Sequence, residues 1–300
     1  ADFLLAHTDW EVFGACRWRS PLDNLGHLMG RINAKDRLHL IDFELRDSVS
    51  LVRLVEKVRP HYVFHLAAQS YPKTSFTAPL DTLDVNVLGT ARLLEALRAA
   101  DTDPLVHVCA SSEVFGRVGA EALPIDEECK FHPASPYAIS KVGTDLLGRF
   151  YAEAYGMKVM TTRMFTHTGP RRGDVFAEST FAKQIAMIEA GLIPPRLRVG
   201  NLKSMRTWSD VRDAVRAYYL LLTVNPEPGA YYNIGGTHSC TVGDMLDHLL
   251  GLSTRKDITV EIDPERLRPI DADLQIPDTA KFRNHTGWEP QIPFERTMAD

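Results

Sequence analysis

The chain has 300 residues, 44% of them hydrophobic and 24% charged, with a formal net charge of −5. This is the composition of a folded globular protein of one large domain or two modest ones, and it excludes disordered, collagen-like and coiled-coil chains. The acidic balance argues against nucleic acid or an anionic membrane as the main partner, since both require clustered Lys and Arg. No apolar run approaches the roughly 18 residues that cross a bilayer, and residues 1–7 lack the charged-then-apolar pattern of a secretory signal. A cytoplasmic location is therefore expected. Cys16, Cys109, Cys129 and Cys240 are widely spaced, with no C-x-x-C and no nearby paired His, so neither a disulfide framework nor a metal site is expected.

Apolar strand-like runs at 10–17, 38–43, 61–68, 105–110 and 158–165 alternate with helical patterns at 49–57, 80–99 and 137–155. The run Tyr62-Val63-Phe64-His65-Leu66-Ala67-Ala68 is too continuously apolar for a half-exposed strand and suits a parallel strand covered on both faces. Strand–helix alternation of this kind predicts an α/β fold with a doubly wound parallel sheet of the Rossmann type. After residue 165 Gly, Pro and Arg crowd 169–173 and 194–200, as in loops over a site, and helices are predicted at 176–190, 210–222 and 242–250. Thr241 and Asp244 have the spacing of a capping arrangement. The division expected is a dinucleotide-binding part at 1–165 and a smaller α/β substrate-binding part at 166–300, with 210–235 returning to the first. No glycine-rich turn that could seat a pyrophosphate occurs in the first forty residues. Residues 1–7 read as the tail of the helix that follows such a turn. The expectation is that about 15–20 residues, a strand and that turn, are missing before Ala1; the alternative is a fold without the loop.

The sharpest chemical signal is Tyr137-Ala138-Ile139-Ser140-Lys141 after Ser135-Pro136, an N-cap followed by proline at the first helical position. Tyr137 and Lys141 are four apart, on one helical face. An ammonium near a phenol favours the phenolate and lowers its pKa, giving a proton donor or acceptor for a carbinol or ketone. Such a pair alone is common on solvated helices. Upstream, Ser111-Ser112-Glu113 follows the apolar run ending at Ala110, where the C-terminal end of a strand meets the ligand crevice. Arg17 and Arg19 end the strand at 10–17, where an acidic residue would hold the ribose of NAD and arginine accommodates the 2′-phosphate of NADP. They favour NADP, with NAD possible; two solvated surface arginines are the alternative.

These residues resemble the extended short-chain dehydrogenase/reductase family, whose triad is Ser/Thr, Tyr and Lys. Leu66-Ala67-Ala68-Gln69-Ser70, Asn86-Val87-Leu88-Gly89-Thr90 and Arg163 are further matches. Ala68 to Phe76, Ala110 to Glu113, Gly169-Pro170-Arg171-Arg172-Gly173 and Gly200 to Trp208 look like GDP-mannose 4,6-dehydratases. Phe181-Ala182-Lys183-Gln184 through Asp210-Val211-Arg212-Asp213 looks at least as much like the sister GDP-4-keto-6-deoxymannose reductases. The resemblance covers nearly the whole chain and implies Ser111, Glu113, Tyr137 and Lys141 as catalytic residues. It implies cofactor contacts at Leu66, Ala67, Ala68 and His167, with Tyr137 and Lys141. Ser70, Lys73, Ser112, Thr166 and Arg172 would contact substrate, with Lys183, Arg206 and Arg268 on the diphosphate of a GDP-linked sugar, where arginine forks suit phosphate oxygens. Thr166 stands where the dehydratases carry Asn, which removes one expected substrate hydrogen bond. The resemblance implies a 4,6-dehydratase in which Tyr137, with Ser111 and Lys141, oxidises the C4 hydroxyl and Glu113 shuttles the C5 proton; the alternatives are a 4-reductase or a 4-epimerase. Members of the family commonly pair through helices here at 80–99 and 137–155, so a homodimer or homotetramer is expected.

Overall fold

The computed structural model describes residues 1–300, and the alternation read from the sequence is present as an α/β fold. Twelve strands occur in chain order: β1 (Val12–Cys16), β2 (Leu38–Asp42), β3 (Tyr62–His65), β4 (Leu105–Cys109), β5 (Val159–Met164) and β6 (His167–Thr168). They continue with β7 (Arg196–Val199), β8 (Met205–Asp210), β9 (Tyr231–Ile234), β10 (His238–Thr241), β11 (Thr259–Ile262) and β12 (Leu274–Gln275). The parallel sheet has the order β3-β4-β5-β9, and β1 and β2 form a separate parallel pair. A second layer is built by β8 between β10 and β12, with β6 also on β8, and by the parallel pair β7–β11.

Side chains alternate across a strand, so each strand of a doubly covered sheet feeds two cores. All six residues of β5 are buried. Val159 joins Val106, Val108, Leu94 and Leu97 on the face covered by helices Ser48–Val58, Gly89–Ala99 and Pro136–Tyr155. Met160 and Met164 point the other way, to Tyr218, Leu221 and Trp288 around helix Val211–Thr223. A third cluster, with Phe181, Leu197, Trp208, Met245 and Leu249, is the core of the second layer. Thr241 and Asp244 form a reciprocal capping box at the start of helix Val242–Leu252.

One feature differs from the sequence reading. The single helix predicted over 80–99 is divided into Pro79–Leu83, a π-turn Asp84–Leu88 and Gly89–Ala99. The π-turn holds buried Asn86, whose amide joins the loop after β3 to the helix of Tyr137: Oδ1 accepts from Gln69 N–H at 2.8 Å, and Nδ2 donates to Ser140 Oγ at 2.8 Å. Such one-turn π-bulges often occur at functional sites. β1 pairs only with β2 and β3 only with β4, and residues of β1 and β3 line the same apolar cleft of about 1550 Å³. Residues 1–7 lie against it, largely as helix Asp2–His7.

Arg163, near the end of β5, is 1% exposed and is held by Asp145 of helix Pro136–Tyr155, Nε at 2.7 Å and Nη2 at 3.1 Å. Its Nη1 donates to the Glu127 carbonyl at 2.6 Å. Removing one partner of a buried pair strands the other's charge. Asp145→Asn is therefore expected to cost about 3 kcal/mol of stability in denaturant unfolding; a loss under about 1 kcal/mol would mean that the pair does not brace the sheet.

Candidate active site

The tyrosine and lysine are placed by the start of one helix. Ser135 Oγ accepts from Ala138 N–H at 3.0 Å, and Pro136 occupies the first turn of Pro136–Tyr155. Tyr137 and Lys141 are both buried and approach the C-terminal end of β4. There the chain makes a short 3₁₀ turn, Ser112–Val114, with Ser111 as its cap: Ser111 Oγ accepts from Glu113 N–H at 3.2 Å. A hydroxyl, a carboxylate and a phenol thus open into one pocket of about 590 Å³.

The electrostatics differ from the sequence expectation. Burial raises the Tyr137 phenol well above its ordinary value, and the neighbouring Ser111 hydroxyl opposes this only in part. The Lys141 ammonium, itself pushed down by burial, donates to the Cys109 carbonyl at 2.7 Å. Its charge answers the end of the strand, and desolvation outweighs it at the phenol. His167 is likewise pushed down to about 4, first by burial and then by the Arg172 charge, so its ring is neutral near pH 7; Nδ1 lies 3.1 Å from the Phe165 carbonyl.

The pocket gathers many of the expected substrate residues. Ser70 and Lys73 come from the loop after β3 and the helix that follows, Ser112 and Thr166 from the ends of β4 and β5, and Arg172, Arg206 and Arg268 from the C-terminal half. Arg172 is engaged by protein groups: Nε lies 2.5 Å from the Glu178 carboxylate, Nη1 donates to the His167 carbonyl at 2.6 Å, and the guanidinium sits 3.9 Å over the Phe176 ring. Arg206 lies 3.7 Å from Asp271 and donates to the Met205 and Ala272 carbonyls at 2.9 and 2.6 Å. Burial lowers its pKa, while Glu113 and Asp271 oppose the shift.

Lys183 is not brought to the pocket. It points away on helix Ala177–Glu189 and pairs with Asp174 at 2.5 Å, both side chains more than half exposed. Helical position decides this: Phe181 and Ile185 take the inward face, which leaves 183 outside. Glu178, Asn201 and Asp271 are pocket residues that the sequence reading missed. No sequence signal marked Asp271: its pairing with Arg268, 3.5 Å apart, is made in a non-helical segment that only the fold brings to the pocket.

A family model described as GDP-mannose 4,6 dehydratase matches residues 1–300. The chain belongs to the GDP-mannose 4,6-dehydratase family. GDP-mannose 4,6 dehydratase 2 of Arabidopsis thaliana is 36% identical over 99% of this chain and 80% of its own length. GDP-6-deoxy-D-mannose reductase of Pseudomonas aeruginosa is 34% identical over 80% of this chain and 78% of its own. Among solved structures, RMD from Pseudomonas aeruginosa complexed with NADPH superposes with a TM-score of 0.82 at 30% identity, covering 95% of each chain. The family assignment and the Rossmann-type α/β fold of its extended short-chain dehydrogenase/reductase enzymes are those anticipated from the motifs.

The residues present fit a nicotinamide dinucleotide on two sides. Leu66 and Ala67 line the cleft along β1 and β3, Ala68 is next in the chain, and Tyr137 opens into the adjoining substrate pocket. Arg17 and Arg19 lie exposed just after β1, the Arg19 guanidinium 4.4 Å over the Trp18 ring. No residue of 1–40 forms a glycine-rich turn for the pyrophosphate. No group of three or more His, Cys, Asp or Glu is arranged to hold a metal, and no helix is long and apolar enough to cross a membrane.

Proposed function

We propose that this chain dehydrates GDP-mannose to GDP-4-keto-6-deoxymannose with NADP, and that Tyr137, Ser111, Lys141 and Glu113 carry the protein's part of the reaction. The observation that carries this reading is Glu113, a carboxylate in the same pocket as the Tyr137 phenol and the Ser111 hydroxyl. Bound NADP would take hydride from the substrate's C4 and, once water has left, return it to C6 as a proton comes back to C5, redox chemistry that side chains lack and that leaves no net NADPH. Leu66, Ala67 and Ala68 would hold it along β3, with Arg17 and Arg19 at its 2′-phosphate.

The side chains handle the protons. Tyr137 Oη takes the C4 hydroxyl proton, Ser111 orients that hydroxyl, and the Lys141 charge stabilises the phenolate that forms. Once C4 is a ketone the C5 proton is acidic; Glu113 removes it and delivers it to the departing C6 hydroxyl, which leaves as water. Arg206 and Arg268 answer the diphosphate, with Arg172 bracing the wall beside His167. Lys183 is set aside as a diphosphate ligand, because it lies outside the pocket. A homodimer or homotetramer fits the helix Pro136–Tyr155, where Ile139, Leu146 and Phe150 form one half-exposed apolar face; a monomer in sedimentation would remove that part of the reading.

The second reading, a 4-reductase of a GDP-4-keto-6-deoxy sugar, is favoured by the 34% identity to the Pseudomonas reductase. A reductase needs Tyr137 and external NADPH but has no use for a base at C5. The test is turnover of GDP-mannose with catalytic NADP+, read as absorbance of the alkali-treated 4-keto product. Product without net change in NADPH is expected. No product, with NADPH consumed when a GDP-4-keto-6-deoxy sugar is supplied, would make the chain the reductase.

A further inference from the structure

We propose that residues 264–272 form a strap across the mouth of the substrate pocket, and that Lys73 latches it from the opposite wall. The strap is tied to the fold at its two ends. Before it, β11 runs in a parallel ladder with β7, and Asp263 N–H donates to the Val199 carbonyl at 2.9 Å. After it, the Asp273 carbonyl accepts from Met205 N–H at 2.7 Å, where β12 joins β8. Between these ties the main chain hydrogen-bonds only within its own turn, Arg266 to Asp263 and Leu267 to Pro264, apart from two side-chain donors reaching in from outside. One is Arg206, bonded to the Ala272 carbonyl near the strap's C-terminal end at 2.6 Å. The other is Lys73, whose Nζ donates to the Glu265 carbonyl at 2.6 Å from a residue 192 positions away in sequence.

That second bond closes a ring around the opening. Lys73 sits on the short helix Pro72–Thr77 after β3, in the dinucleotide half, while Glu265 belongs to the C-terminal half, and both line the pocket. The strap is packed down only at its C-terminal end, where Ala272 is buried and the Asp271 carboxylate accepts from Asn201 Nδ2 at 3.1 Å, while Leu267 and Ile270 remain 46% exposed. Its close approach on the inner side depends instead on Gly200: a Cβ there would stand 2.9 Å from the Arg266 carbonyl oxygen. Few anchoring contacts and exposed hydrogen bonds are the marks of a segment that opens at low cost. A strap released at Lys73 and still tied at both ends opens the pocket to a bulky nucleotide sugar, then recloses over it and excludes water. In this account Lys73 is a positioning residue acting through the strap, and the inference rests on reading this pocket as the nucleotide-sugar site.

The test is amide hydrogen exchange of the free 300-residue protein, followed in peptides covering 264–272, for wild type, Lys73→Met, Lys73→Arg and Gly200→Ala. Lys73→Met is expected to speed exchange of the Arg266 and Leu267 amides by about 10-fold, Gly200→Ala to do the same by lifting the strap, and Lys73→Arg, which keeps a charged donor, to stay near wild type. Release of GDP, measured by stopped flow with GDP alone as the probe, should quicken by a similar factor in Lys73→Met. Unchanged exchange in Lys73→Met would overturn the latch, even if GDP affinity fell, and would leave Lys73 as a direct substrate contact. Exchange is read without turnover, so its failure is separate from failure of the proposed activity.

Discussion

Tyr137→Phe is expected to lower kcat with GDP-mannose by about 10³-fold while leaving NADPH affinity within about 2-fold, measured by steady-state kinetics and fluorescence titration. The substitution removes one oxygen and keeps the ring, which is 8% exposed against the end of β4. Ser111 keeps its bond from Glu113 N–H and Lys141 keeps its bond to the Cys109 carbonyl, so no other buried polar group loses its only partner. The cost to folding should stay below about 1 kcal/mol. The pH dependence provides a second reading. Burial raises the phenol's pKa, so the proton is held tightly, and the basic form needed to accept the C4 hydroxyl proton becomes more populated as pH rises. Wild-type kcat should therefore climb with pH through the neutral range, and the residual rate of the Phe variant should lose that climb. Retained turnover in the variant would overturn the assignment of Tyr137 under both the dehydratase and the reductase readings.

The same tyrosine shows what could be read in the sequence and what could not. Its placement was legible because every level agreed: a Ser–Pro helix start, a four-residue spacing to lysine, and a strand end carrying Ser111 and Glu113. Its electrostatics were not, because the sign of a pKa shift depends on the balance of burial against charge, and sequence reports neither. The parallel sheet was legible from continuous apolar runs such as the one around Val63. The π-turn at Asn86 was not, since the amide at its centre finds its partners in Gln69 and in Ser140, 54 positions away. Cations were the least legible class. Arg206 and Lys183 look alike as letters in basic motifs, yet one faces Asp271 within the pocket and the other pairs with Asp174 outside it. Lys73 is exposed and adjoins a recognisable motif, but its partner is a main-chain carbonyl on a segment that only the fold brings near.

Glu113→Gln separates the two catalytic readings more sharply than any other single change. The variant is expected to lose dehydration of GDP-mannose by about 10³-fold and to reduce a supplied GDP-4-keto-6-deoxy sugar at a rate within about 3-fold of wild type. Glutamine keeps the shape of the side chain, and the turn is held by the main-chain N–H of residue 113 on Ser111 Oγ, so the geometry at Tyr137 survives. An amide cannot take the C5 proton, which removes the elimination but none of the ketone chemistry. Arg206 loses one of its three acidic neighbours, yet it keeps Asp271, Asp273 and the Met205 and Ala272 carbonyls, so substrate should still bind. Wash-in of solvent deuterium at C5 gives the direct readout: it should accompany turnover in wild type and vanish in the variant. If the Gln variant still dehydrates GDP-mannose at the wild-type rate, Glu113 is not the base. The carboxylate beside Arg206 would then serve to neutralise a buried guanidinium, a role that a reductase could use equally well.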